Sequence, residues 1–276
     1  MNDTPPAQSE TAPSAAKPQK DENFFVFLIK LFLIVVIFRS FIFSPFNIPS
    51  ESMLPRLLNG DYLLAAKWPY GFSKYSMPFS LPVIPGRILA SQPDRGDVVI
   101  FKAPPLNDTD YIKRVIGLPG DQIQVVGGQV ILNGKPVPKQ RIADFEVPVT
   151  PNTRCYMPQF QARKADGTEV CHYPRYKETL PEGRTYDVLD LGQTPQDDTP
   201  VIVVPEGHLF LMGDNRDNSL DSRFPAVPGQ GIGIVPQDNL VGRAAIMMFS
   251  TNGGAEWVKP WTWFTAARWS RIGGTF

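Results

Sequence analysis

The chain starts polar, is apolar on every side for twenty residues, and then breaks into short apolar runs separated by Pro, Gly and Asn. Residues 1–22 are Ala, Pro, Ser, Thr, Gln and charges with no apolar periodicity, which predicts a disordered tail. From Phe24 to Phe43 the only charged residues in the apolar run are Lys30 and Arg39. As a helix this stretch extends about 30 Å, the thickness of a hydrocarbon core. The two cations stand toward its ends, where their stems can reach headgroups. A buried core helix is disfavoured by apolar residues on every side of a terminal segment. A cleaved leader would have a shorter uninterrupted core and an Ala-x-Ala site after it. Residues 23–43 are therefore expected to form a retained transmembrane helix. Lys17, Lys20 and Lys30 nearly balance Arg39 and Arg56, so charge alone does not orient it.

From residue 44 onward the period shortens. Gly96-Asp-Val-Val-Ile-Phe101 and Tyr111-Ile-Lys-Arg-Val-Ile116 are short apolar runs bounded by Pro/Gly turns. Asp121–Val126 and Gln129–Leu132, joined by Gly127-Gly128, predict a hairpin, with Asn133-Gly134 as the next turn. Val201–Val204, Leu209–Met212 and Leu240–Phe249 supply further strands. Short strands without alternating helices predict a mainly β domain over 44–137 and 200–255. Between 138 and 199 the pattern weakens into Pro-, Gln- and Asp-rich sequence, an inserted subdomain or a long excursion. Cys155 and Cys171 both fall there. Bonding them would stabilise by about 3 kcal/mol in the chain-entropy picture and would require an oxidising compartment. Two free thiols are the alternative; a weakly patterned loop gains most from the bond, which is the expectation here. Residues 256–276 carry four of the five tryptophans among Arg and Lys. Such a segment suits the headgroup layer of a membrane, or packs on the domain as a C-terminal element.

Composition narrows the function classes. The 27 Lys+Arg match 27 Asp+Glu, which argues against a nucleic-acid partner. The 29 Pro and 22 Gly punctuate the chain too often for a helical bundle. Two histidines leave few candidates for a His-based triad or metal site. His208 stands at the mouth of a strand and His172 beside Cys171, and neither has a catalytic context.

Hydroxyl chemistry has better candidates. Directly after the apolar segment, Ser50 and Ser52 lie one residue apart between Pro49 and Pro55. The segment is either a polar turn or a backbone held to present one hydroxyl. A serine nucleophile needs a base, and with histidine scarce that base would be a lysine made neutral by desolvation. Lys113 lies inside an apolar strand, on one face with Tyr111 and Val115. A solvent-facing lysine is the commoner fate of that residue in a strand, and the residues alone leave both readings open. Gly213-Asp-Asn-Arg-Asp-Asn-Ser-Leu-Asp-Ser-Arg223 lacks the Gly and Glu of a helix–loop–helix calcium site. It reads as a dense hydrogen-bonding loop able to orient another side chain.

The Ser-x-Ser-Met-x-Pro segment behind an apolar helix, Tyr-Ile-Lys-Arg-Val-Ile-Gly-Leu-Pro-Gly-Asp, and Gly-Asp-Asn-Arg-Asp-Asn-Ser-x-Asp-Ser-Arg follow in that order. Together they resemble the bacterial type I signal peptidases over about residues 24–250. The resemblance implies Ser52 as nucleophile and Lys113 as general base. It implies Ser219 as the serine that orients the lysine, and Ser50 as an oxyanion donor beside the Ser52 N–H. Asp214, Asn215, Asp221 and Arg223 match a supporting loop. Phe46, Ile48, Met53, Leu57, Tyr111 and Ile112 match positions lining pockets for the substrate's −1 and −3 side chains. Arg56 departs from the small hydroxyl residue common there, and Glu51 from a small residue often Gly.

The resemblance further implies an endopeptidase that removes signal peptides from exported preproteins after small residues, with no metal or cofactor. Its partners would be preproteins and the bilayer. The catalytic domain would be extracytoplasmic on the bacterial inner membrane, with residues 1–22 in the cytoplasm. Two rivals remain: a self-cleaving Ser/Lys repressor-type protease, disfavoured by the short tail, and an inactive anchored peptide-binding scaffold of the same fold.

Overall fold

The computed structural model describes residues 23–256 and 258–276. The tail expected at 1–22, with Lys17 and Lys20, lies outside the described residues, as does Trp257. The chain divides into two compact units at Val35/Val36. Helix α1 (Phe24–Phe41) has one buried residue, Ser40, and is long and apolar enough to cross a membrane. It stops short of the expected twenty residues because Phe43 already pairs with Ala66 in a β ladder.

The second unit is built on antiparallel strands. In chain order these are β1 (Phe43–Asn47), β2 (Asp61–Ala66), β3 (Val98–Lys102), β4 (Asp110–Gly117), β5 (Gln122–Val126) and β6 (Gln129–Leu132). There follow β7 (Lys139–Pro148), β8 (Gln161–Arg163), β9 (Glu169–Thr179), β10 (Thr185–Leu189), β11 (His208–Met212), β12 (Val235–Pro236) and β13 (Leu240–Ser250). The main sheet runs β1-β2-β13-β3-β4-β11-β12. Its central strand β3 reads Val-Val-Ile-Phe and is buried on both faces, which explains why that run is continuous rather than alternating. The expected β5–β6 hairpin turns through Gly127 and Gly128, both at positive φ, as a two-residue turn matching strand twist requires.

The stretch 138–199 is more regular than its composition suggested. β9 is eleven residues long and pairs with β7, β8 and β10 in a second sheet. Two features hid it. β7 is mostly exposed, so it carries no apolar alternation. Pro174 interrupts β9, but the β7–β9 register shifts opposite it, between Ile142 and Phe145, so no ladder bond is forfeited there. Cys155 and Cys171 are disulfide-bonded. Leu54, Val147, Tyr173 and Leu189 surround that bond and join the second sheet to the turn following Ser52.

The Trp-rich segment packs on the domain, one of the two arrangements its sequence allowed. The guanidinium of Arg271 grips the buried Asp61 at 2.5 Å, and the Arg268 N–H donates to the Ser250 carbonyl. Helix α2 (Trp261–Ala266) nevertheless leaves Trp261 and Phe264 exposed.

Candidate active site

The chain leaves β1, crosses Pro49, and makes a tight turn through Ser52 before entering β2. Met53, Leu54 and Leu57 are completely buried and anchor this turn, while the Leu57 N–H donates to the Met53 carbonyl. At the far end, Asp61 accepts from the Leu58 N–H at 2.7 Å and the Ser250 hydroxyl at 2.6 Å. The backbone of Ser52 is thus held from below and from its exit. It is also held from the side: the Asn215 N–H donates to the Ser52 carbonyl at 3.1 Å, and Asn215 Nδ2 donates to the Glu51 carbonyl.

β4 delivers the amine. Lys113 Nζ donates to Ser52 Oγ at 2.7 Å, across 61 positions of sequence. Lys113 is 3% exposed and Ser52 8%. Burial pushes the Lys113 pKa from 10.5 down to about 8, against the opposing pull of Asp221 and Asp214. Both carboxylates are already engaged elsewhere. Asp214 takes a two-pronged bond from Arg114, at 2.7 and 2.6 Å. Asp221 accepts from Arg223 at 2.9 Å and from the Gly213 N–H at 3.1 Å. The loop 213–223 therefore holds two negative charges near the lysine while giving most of their field to arginines. What remains next to Ser52 is an amine that loses its proton readily beside a hydroxyl that can give one up.

Gly213 is required by space. A Cβ there would stand 2.2 Å from Ser219 Oγ and 2.5 Å from the Ser52 carbonyl oxygen. Ser50 is exposed, with Oγ 3.4 Å from Ser52 Oγ. The cleft at Ser52 has a volume of about 430 Å³ and is lined by Phe46, Ile48, Tyr111 and Ile112, among others.

The family model described as signal peptidase, peptidase S26, matches residues 22–249. This chain belongs to the signal peptidase S26 family. Signal peptidase I of Rickettsia conorii (strain Malish 7) is 36% identical over 236 residues, covering 82% of this chain and 78% of that protein. Signal peptidase I of Rickettsia akari (strain Hartford) is 36% identical over 227 residues, or 79% and 76% of the two chains. A solved signal peptidase I from Enterococcus faecalis V583 is 24% identical and covers 55% of this chain and 97% of that one. Its TM-score of 0.29 carries no argument about fold. Membership makes the chain a serine endopeptidase.

Within this peptidase, three expectations need correction. Ser219 makes no hydrogen bond to Lys113: its buried Oγ has no hydrogen-bond partner among the described residues, and the amine donates to Ser52. Met53 and Leu57 do not line the cleft; they lie wholly in the core with Leu63 and Val98, since the turn rotates them beneath Ser52. Ile100, Asn218 and Leu220 line it in their place. A buried ion network also escaped the sequence. Arg216 forks onto Glu178 at 2.6 and 2.5 Å, and the Tyr186 hydroxyl donates to the same carboxylate. Glu178 sits in a charged stretch of β9, where no pattern sets it apart from solvent-facing neighbours. It ties the second sheet to the loop that carries Asp214 and Asp221.

Proposed function

We propose that this protein is a membrane-anchored endopeptidase that removes signal peptides from exported preproteins, with Ser52 as nucleophile and neutral Lys113 as general base. The 2.7 Å contact between Lys113 Nζ and Ser52 Oγ, in a buried pocket, carries the reading. The substrate's cleavage segment lies extended in the Ser52 cleft. The β11 ladder on β4 stops at Arg114, so residues 110–113 keep one strand edge to receive it. Ile48 and Ile112 limit the cleft to small side chains by clash. Lys113 takes the Ser52 proton as Oγ bonds to the scissile carbonyl carbon. The Ser52 N–H and Ser50 hydroxyl stabilise the oxyanion, each by about 3 kcal/mol. Collapse of the tetrahedral intermediate breaks the C–N bond, and Lys113 passes its proton to the leaving amine. Lys113 then activates a water, which releases the acyl group and restores Ser52. Asp214, Asn215, Asp221 and Arg223 hold the loop that fixes this geometry, and Ser219 fills space beneath Gly213.

Helix α1 serves as the anchor. Phe79 is 97% exposed, and with Trp261 and Phe264 it supports contact with lipid. The catalytic domain comprises 44–137 and 200–255, with 138–199 inserted. It faces the extracytoplasmic side of the inner membrane, a placement supported by the Cys155–Cys171 bond. The test is cleavage of a model preprotein in detergent by the native chain and by Ser52→Ala. Mature product from the first and none from the second is expected. Equal product from both would remove Ser52 from the chemistry, and substrate bound but uncut by the native chain would favour the scaffold.

A further inference from the structure

A second cleft, of about 770 Å³, lies on the face of β4 turned away from Lys113. Residues of β3, β4 and β13 form one wall, and residues of β9 and β10 the other. It shares no lining residue with the cleft at Ser52. Its lining carries seven Arg or Lys side chains and two Asp.

The acids are already committed. Asp97 accepts from Tyr70, from the Asp94 N–H and from Arg184. Asp187 pairs with Arg175 at 3.3 Å. Arg114 and Arg271 at the edges of the cleft are answered by Asp214 and Asp61, which lie outside its lining. Arg243 and Lys177 have no ion pair or side-chain hydrogen bond among the described residues. Among the described residues Arg56 donates only to the Thr275 carbonyl, and it lies over the Phe276 ring.

We propose that this cleft binds a phosphate-bearing anion of about two to three negative charges, held by Arg243, Lys177 and Arg56. Phosphate fits better than a single carboxylate. It spreads its charge over three oxygens, so one group meets donors from facing walls, whereas a carboxylate fills one guanidinium fork. A soluble phosphate and a lipid headgroup share this chemistry.

The experiment is calorimetric titration of sodium pyrophosphate into the full chain in neutral detergent, with and without phosphatidic acid, a phosphomonoester lipid, doped into the micelles. One site is expected, weakening with added salt. The double variant Arg243→Gln, Lys177→Gln should lose at least about tenfold in affinity, while Arg243→Lys with Lys177→Arg should stay within about threefold. Preprotein cleavage should be unchanged in both. A rise in apparent Kd when phosphatidic acid is present identifies a headgroup as the source, and no rise identifies a soluble phosphate. Absence of pyrophosphate binding, equal affinity in the Gln variant, or binding of tetraglutamate in place of pyrophosphate would overturn the proposal.

Discussion

Replacing Lys113 with methionine should abolish cleavage and yet stabilise the protein near neutral pH. Methionine keeps the length and apolar stem of lysine and removes the charge. The wild-type amine has its pKa pushed down from 10.5 to about 8 by burial. Below about pH 8 the folded protein therefore holds a charge it disfavours, at a cost of about 3 kcal/mol for a shift of roughly 2.5 pH units. At 3% exposure, solvent screening does little to reduce that cost. The substitution also deletes the bond to Ser52 Oγ, worth about 1 kcal/mol. The expected net gain is about 2 kcal/mol at pH 6.5. Between about pH 8 and 10.5 the unfolded chain binds this proton and the folded chain does not, so wild-type stability rises with pH there. The advantage of Lys113→Met should shrink through that window and reverse near its upper end. Thermal unfolding of both full chains in neutral detergent, followed by near-UV circular dichroism, reads this out. An increase in Tm of about 5 °C at pH 6.5, vanishing by about pH 10, is expected. A variant less stable than wild type at pH 6.5, or a difference independent of pH, would refute the claim that Lys113 is held against its charge.

Cleavage by the native chain should rise about tenfold from pH 7 to pH 9, with a midpoint near 8, as Lys113 becomes neutral; a flat profile across that range would exclude it as base. Ser50→Ala should fold normally and lose about two to three orders of magnitude in kcat with little change in KM; an unchanged kcat would reduce Ser50 to a turn residue. Gly213→Ala must displace backbone as well as side chain, since its Cβ would meet the Ser52 carbonyl at 2.5 Å. It should cost about 1–3 kcal/mol in stability and about 100-fold in kcat/KM, measured by denaturation and the preprotein assay, and near-native values would show that the turn gives way easily.

Several parts of this protein were legible as patterns along the chain. The apolar segment before Phe43 needs only length and the absence of a polar side. The β5–β6 hairpin needs only alternation and two glycines free to take positive φ. The proposed nucleophile and base were visible as candidates because Ser52 sits between prolines and Lys113 interrupts an apolar strand. The second sheet was hidden because β7 and β8 are mostly exposed and Pro174 interrupts β9, so no clean apolar alternation marks it.

Tertiary structure decided what no local pattern carries. The sequence determined that a lysine stands in an apolar strand; whether that amine is dry, and what its proton points at, depends on β4 meeting a turn 61 positions away. The same long-range closure turned Met53 and Leu57 into the core, left Ser219 without a hydrogen-bond partner among the described residues, and recruited Glu178 from the other sheet to hold Arg216. Desolvation and hydrogen-bond choice are properties of three-dimensional neighbours, and these neighbours meet only once the chain has folded.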